Sequence, residues 1–213
     1  MQIAKFTFNL FQENTFVLYT ASGHCAIIDA GCSNTQENKT LSQFIEEHKL
    51  SPKYLLNTHC HIDHVLGNSY VYSKWGLKPL MHADDVETIE EAVRFAQLYG
   101  QNIEDTPRPE EFLKEGDELM LDDEKLEIFF TPGHASGHIT FVSHKHRFII
   151  SGDVLFFRSI GRTDLPRGNF EVLKNSIHQK LFTLPDDYTV YCGHGPETSI
   201  GEEKIHNPFV GLG

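Results

Sequence analysis

Short apolar runs broken by Asn, Glu, Ser and Gly open the chain at 3–8, 16–19 and 26–28, and each reads as a strand. Over 40–48 the pattern changes: Leu41, Phe44, Ile45 and His48 fall on one face at helical spacing. Pro52 precedes another strand at 54–57, and a second helix is predicted over 84–98, with acidic residues at its start as the helix dipole favours. The polar stretch 99–111, which holds Pro107 and Pro109, reads as a loop. Strands follow at 118–121, 126–130, 140–143 and 148–150, then a helix at 170–181 and a last strand at 189–191. Strand-rich halves with interspersed helices predict an α/β fold in which two sheets pack face to face with helices outside. No repeat and no low-complexity linker divides the 213 residues, so one domain spanning 1–213 is expected.

Composition adds limits rather than an answer. At 39% hydrophobic residues the chain can bury a sizeable core without staples. A net charge of -12 argues against a dedicated nucleic-acid binder, whose affinity rests on a basic surface. Cys25, Cys32, Cys60 and Cys192 match neither a disulfide framework nor a CxxC zinc site; reduced, buried thiols in a cytoplasmic protein are expected. Neither a signal peptide nor a membrane span is visible. The unusual number is 13 histidines, which directs attention to ligand spacing.

The chemistry-bearing residues follow predicted strands. His59-Cys60-His61-Ile62-Asp63-His64 comes after 54–57, and His134 lies after 126–130 in Thr131-Pro132-Gly133-His134. Asp153 follows 148–150 in Ser151-Gly152-Asp153, and His194 follows 189–191 in Gly193-His194-Gly195. Strand ends gather at one edge of a sheet, so residues distant in sequence can form one cluster. Imidazoles with a few carboxylates suit zinc, iron or manganese. Seven candidates are too many for one tetrahedral ion and fit two ions sharing a carboxylate. In an extended segment His59 and His61 project the same way, while Asp63 and His64, past the turn, can face a second ion.

The order H-x-H-x-D-H, then Thr-Pro-Gly-His, Ser-Gly-Asp and Gly-His-Gly resembles the metallo-β-lactamase superfamily, and the likeness runs from Ile27-Ile28-Asp29-Ala30-Gly31 to Gly195. The resemblance implies an αββα four-layer sandwich with metals at one edge. It implies that His59, His61 and His134 hold one divalent ion, that Asp63, His64 and His194 hold another, and that Asp153 bridges, with zinc the first expectation and iron or manganese the alternatives. Asp63 and Asp153 then count as catalytic as well as ligating. Residues 131–138 and 157–168 are most similar to the glyoxalase II branch, in a small form without its helical domain. A small-molecule thioester such as S-lactoylglutathione is the implied substrate, attacked at its carbonyl by hydroxide activated between ions roughly 3.5–4 Å apart.

Around that centre the sequence leaves choices open. Arg162 and Arg167 flank 163–166 and could hold a substrate carboxylate, or else sit in a solvated turn or an ion pair with Asp164. The loop 99–111 could be a lid or a surface connector. Asp29 is expected to orient a histidine, His138 to be a supporting or core histidine, and Cys60 to pack in the interior. The remaining histidines, His24, His48, His82, His144, His146, His178 and His206, have no ligand spacing and are expected to be structural or on the surface. The family's tyrosine two residues past the last metal histidine is Pro196 here, and only 196–213 follow His194, so the glutathione carrier is in doubt. Rival readings on the same fold are a persulfide dioxygenase with one iron on His59, His134 and Asp153, a lactone or ester hydrolase, and a non-catalytic metal-binding protein.

Overall fold

The computed structural model describes residues 1–96 and 107–213. The first half builds a five-stranded sheet: β1 (Gln2–Phe8), β2 (Glu13–Tyr19), β3 (His24–Ile28), β4 (Ser51–Leu56) and β5 (Pro79–Leu80), side by side in that order. Between these strands lie α1 (Thr35–Glu47), the one-turn α2 (Ile62–Val65) and α3 (Asn68–Trp75); a 3-10 turn at Ala83–Asp85 then leads into α4 (Val86–Ala96). The second half adds β6 (Glu118–Leu121), β7 (Glu124–Phe130), β8 (Ile139–Ser143) and β9 (Phe148–Gly152). After them come the small hairpin β10 (Leu155–Phe156) and β11 (Ser159–Ile160), α5 (Phe170–Gln179), β12 (Thr189–Cys192), β13 (Thr198–Ser199) and α6 (Ile200–His206). The second sheet has the order β13-β12-β9-β8-β7-β6, with β12 parallel to β9 and the other neighbours antiparallel.

The period-2 alternation of strand side chains explains the layers. Phe16, Leu18, Ala26, Ile28 and Leu56 of the first sheet meet Leu126, Ile128, Phe141, Phe148 and Ile150 of the second in one buried layer. The intervening residues Val17, Cys25, Ile27 and Leu55 face the other way, onto Leu41, Ile45 and Val71 of α1 and α3. Val142, Ile149 and Val190 do the same on the second sheet, against Leu173 and Ile177 of α5 and Ile200 of α6. Both faces of each sheet are covered, which is why central strands read as unbroken apolar runs rather than alternating ones. This is the expected αββα sandwich.

The boundaries differ from expectation where polar residues take on specific work. Helix α1 begins five residues before 40, because the Asn34 side chain accepts from the backbone N–H of Gln36 and Glu37 at 3.0 Å each. Strand β2 begins at Glu13, and Glu13, Asn14 and Thr15 are all buried. Helix α6 was absent from the expected elements, yet Ser199 caps it by accepting from Glu202 N–H at 3.2 Å. Helix α3 also went unread: Asn68 and Val71 are its only buried positions, too few to mark a stripe. The stretch 97–106 lies outside the described residues and takes with it most of the candidate lid at 99–111 and the end of the helix predicted over 84–98. No helix among the described residues is long and apolar enough to cross a membrane.

All four cysteines are free and buried. Burial pushes the thiols of Cys25, Cys32 and Cys192 up to about 12, and that of Cys60 well above its usual range. A raised pKa leaves each thiol protonated and unreactive at pH 8. The native protein is therefore expected to leave dithiobisnitrobenzoate almost unreduced at pH 8, and the urea-unfolded chain to react at all four positions. Rapid reaction of the native protein would contradict the burial.

Candidate metal centre

Strands β3 and β4 run parallel, and β7, β9 and β12 point the same way within the second sheet. Their carboxyl ends deliver Asp29, His59, His134, Asp153 and His194. His61 occupies the N-cap position of α2 without a capping side-chain hydrogen bond, and Asp63 and His64 lie on that helix, so the expected turn after His61 is a helical one. Two trios result. In one, His59, His61 and His134 hold donor atoms within 4.8 Å of one another, and in the other Asp63, His64 and His194 do the same. The Asp153 carboxylate stands between them: Oδ2 is 3.5 Å from His134 Nε2 and 3.5 Å from His194 Nε2, while Oδ1 is 3.4 Å from His64 Nε2. Each trio draws two residues from the first sheet's edge and one from the second's.

Each histidine with an acceptor on its outer nitrogen turns its other nitrogen inward. His134 Nδ1–H donates to the Arg162 carbonyl at 2.8 Å, and His194 Nδ1–H to the carbonyls of Phe11 and Gln12 at 3.1 and 3.2 Å. An acceptor-only partner fixes Nδ1 as a donor and aims Nε2 into the cluster, where that of His134 lies 2.8 Å from His61 Nδ1 and that of His194 3.2 Å from Asp63 Oδ2. Asp29, buried at the end of β3, governs two more. Its Oδ2 accepts from His64 Nδ1–H at 3.0 Å and from the Thr58 hydroxyl at 2.6 Å, and that hydroxyl accepts from His59 Nδ1–H at 3.1 Å. Its Oδ1 accepts from Thr58 N–H at 2.7 Å. Asp29 therefore orients two histidines, as expected, and the relay through Thr58 is what the sequence did not reveal.

Other supports were equally hidden. Asp85, fully buried in the 3-10 turn, accepts from Cys60 N–H at 2.6 Å and Gly137 N–H at 3.1 Å, so it ties the His61 segment to the His134 loop. Asn14 donates to the carbonyls of Cys192 and Gly195 and holds the His194 turn from the first sheet. A polar Glu-Asn-Thr at the start of a buried strand was the available signal. His138 is buried; its Nε2 accepts from Asp153 N–H at 3.1 Å, and its ring stacks on that of His59 at 4.8 Å, a supporting place as expected. Cys60 packs beside Met81, away from the trios. Gly193 has to lack a side chain, because a Cβ there would lie 2.2 Å from Asp153 Oδ1.

The electrostatics separate the two trios. Burial, then the neighbouring His64, holds His59 well below the usual imidazole range, and burial with His134 beside it pushes His61 down to about 3. Burial also disfavours a charged His64, but the carboxylates of Asp153, Asp63 and Asp29 outweigh it and raise its pKa well above the ordinary value. His194 is raised against burial by Asp63 and Asp153. Burial tends to raise Asp63 and Asp153, yet His64 and the other facing histidines hold both below the usual carboxylate range. Among the buried atoms without a hydrogen-bond partner, three belong to the cluster: His59 Nε2, His64 Nε2 and Asp153 Oδ1. Orphaned buried polar atoms are rare, and three aimed into one cluster fit a divalent cation.

The centre opens on a cavity of about 640 Å³ lined by His61, Asp63, His134, Asp153 and His194 together with mostly apolar side chains. Arg162 reaches its wall, where Nε and Nη2 each donate to an Asp164 oxygen at 2.7 Å. Arg167 is bound to Glu91 of α4, at 3.1 and 3.0 Å. The structure thus brings the seven expected donors together and places both arginines in ion pairs. Several of the remaining histidines pair with carboxylates or carbonyls elsewhere, among them His144 with Glu127, His146 with Glu124 and His178 with the Val210 carbonyl.

The sequence profile of the metallo-beta-lactamase superfamily matches residues 8–194. The chain belongs to that superfamily. It is 39% identical to the hydroxyacylglutathione hydrolase GloC of Haemophilus influenzae over 99% of this chain and 98% of that one. Among solved structures it is similar to the BLEG-1 B3 metallo-beta-lactamase, with a TM-score of 0.89, 31% identity and coverage of 98% of this chain and 99% of that one. It is also similar to TTHA1623 in a di-iron-bound form, with a TM-score of 0.86, 32% identity and coverage of 97% and 99%. The superfamily binds divalent metals, and this chain is a metallo-hydrolase of it.

Asp29→Asn keeps the shape of the side chain but removes the charge that orders two histidines. Metal affinity is expected to fall about 10–100-fold, read by competition with a chelator, while circular dichroism stays native. Unchanged affinity would remove Asp29 from the support of the site.

Proposed function

We propose that the chain hydrolyses thioesters at a binuclear centre in which His59, His61 and His134 hold one divalent ion, Asp63, His64 and His194 hold the other, and Asp153 bridges. The observation that supports this most directly is the position of Asp153, equidistant at 3.5 Å from a histidine nitrogen of each trio. Divalent ions held by these residues would supply a water of lowered pKa and Lewis-acid polarisation of a carbonyl. The chain itself contributes orientation. Tautomers are held by Asp29, Thr58 and the Arg162, Phe11 and Gln12 carbonyls, so no reorganisation is needed as charge develops. Asp63, kept ionised by His64 and His194, offers a carboxylate on the cavity wall that can accept a hydrogen bond from the attacking water. A thiolate leaves with little help from protonation, so no further acid is required.

Imidazole and carboxylate donors suit zinc, and the di-iron form of TTHA1623 supports iron as the alternative. The similarity to a hydroxyacylglutathione hydrolase supports the thioester over an ester or lactone. A persulfide dioxygenase on one iron would use His59, His134 and Asp153 and leave the convergence of Asp63, His64 and His194 unexplained. A small-molecule substrate, with no nucleic-acid partner, is the reading that a net charge of -12 favours.

The test is turnover of S-lactoylglutathione and other thioesters by protein loaded with zinc, iron or manganese in turn. His61→Ala is expected to lose bound metal and hydrolysis together, each by tenfold or more, by elemental analysis and thiol release. Full activity in that variant would remove His61 from the site. Inactivity of the loaded wild type on every thioester and ester would sink the hydrolase reading, and oxygen uptake with glutathione persulfide would replace it with the dioxygenase.

A further inference from the structure

The tip of the β1–β2 hairpin, residues 9–12, lies against the second trio, Asp63, His64 and His194. Asn9 and Gln12 bracket it with left-handed backbone, φ 52° and 56°, a conformation that asparagine tolerates better than most residues. Every polar group of Asn9 is engaged. Its N–H donates to Glu37 Oε1 of α1 at 3.0 Å, and its carbonyl accepts from Gln12 N–H at 3.3 Å. The side-chain Nδ2 donates to the carbonyls of Gly31 and Asp63, each at 3.0 Å, and Oδ1 accepts from Phe11 N–H at 2.9 Å. Two carbonyls and one N–H leave the amide a single orientation, because only its nitrogen can donate and only its oxygen can accept. The space beside it is filled as well: a Cβ on Gly31 would lie 2.8 Å from both Asn9 Nδ2 and the Asp63 carbonyl oxygen.

These contacts close a ring around two of the three donors. Asn9 holds the Asp63 backbone and the Phe11 N–H; the Phe11 and Gln12 carbonyls accept from His194 Nδ1–H at 3.1 and 3.2 Å; and His194 Nε2 returns to Asp63 Oδ2 at 3.2 Å. His64, the remaining donor, is held by Asp29 and by Asn57, which donates to its carbonyl at 3.0 Å. The first trio is anchored elsewhere: His59 through Thr58 and Asp29, His134 by the Arg162 carbonyl, and the segment before His61 by Asp85. We infer that Asn9 is the positioning residue of the second trio: it sets the affinity for the ion held by Asp63, His64 and His194 and leaves the ion held by His59, His61 and His134 nearly untouched. This rests on the binuclear reading above and deepens it, because it makes the two ions separable through a residue that ligates neither. Without the Asn9 amide, the Phe11 and Gln12 carbonyls and the Asp63 backbone are released together, and ordering them again is taken out of the free energy of ion binding.

Asn9→Asp is nearly isosteric, tolerates the left-handed backbone and keeps an acceptor for Phe11 N–H, but it replaces the donor to two carbonyls with a charged oxygen. Zinc is titrated into the metal-free full chain by calorimetry and in competition with a chromophoric chelator, and zinc retained after desalting is measured by elemental analysis. The wild type is expected to bind two equivalents. In Asn9→Asp one equivalent should keep its affinity within about twofold and the other should weaken about 10–100-fold, so that retained zinc falls from two towards one per chain. Asn9→Gly, which removes the amide without backbone strain at that φ, should behave alike. The weakened equivalent is assigned with His194→Ala: Asn9→Asp added to that variant should cost nothing further, since both act on one ion. Asp29→Asn supplies the contrast, because it disturbs one histidine of each trio and should weaken both equivalents. A general loss of packing would do the same, so the selectivity for one ion is the signature of positioning. Equal weakening of both equivalents in the Asn9 variants, or of neither, overturns the inference and leaves the binuclear reading standing. A wild type that binds a single equivalent overturns the binuclear reading and the inference with it.

Discussion

The metal centre depends on a single requirement, that buried imidazoles keep one nitrogen anchored so that the other is aimed into the cluster. Asp29 meets it for two of them, directly for His64 and through the Thr58 hydroxyl for His59. Backbone carbonyls meet it for His134 and His194. Much of the local architecture follows from this. Asp29 lies at the end of β3 with a left-handed backbone, φ 50°, which turns its carboxylate toward the adjacent β4 terminus. The His194 turn has to be held against the 9–14 segment, and Asn14 does so with two hydrogen bonds.

The same requirement explains which parts of the molecule could be read from its sequence. Hydrophobic periodicity located the strands that form the central layer, because alternation and two-sided burial leave a strong imprint on composition. The metal donors were legible for another reason: His59, His61, Asp63 and His64 occur at a spacing that ordinary packing does not call for, and His134, Asp153 and His194 each follow a strand beside glycine. The supporting residues were not legible. Thr58, Asp85 and Asn14 are common polar types whose role exists only once two distant segments are in contact. Glu13 and Asn14 even misled, since a polar pair beside an apolar run resembles a turn rather than the buried start of β2.

Charge is divided within the site in a way that suits its parts to different tasks. His59 and His61 are driven toward neutrality by burial, whereas His64 and His194 are surrounded by carboxylates that favour their charged forms. One trio therefore presents lone pairs at little cost, and the other balances positive and negative groups that a divalent cation can replace only by releasing protons. Beyond them the cavity wall turns largely apolar, with Thr88, Glu91 and Ser159 among its polar members, and Arg162, which lines it, is paired with Asp164. Wall and centre are joined at Arg162, whose side chain lines the cavity while its carbonyl fixes the His134 ring.

Because each trio takes two donors from the segment that follows β4 of the first sheet and one from a loop that follows a strand of the second, the centre spans the seam between the layers. It works as a strain gauge for the sandwich. A small slip or tilt of one sheet over the other, as when a side chain such as Phe141 deep in the shared core is truncated, changes donor spacing in both trios at once. Packing defects remote from the chemistry are therefore transmitted as weakened metal retention, before any strand has come apart.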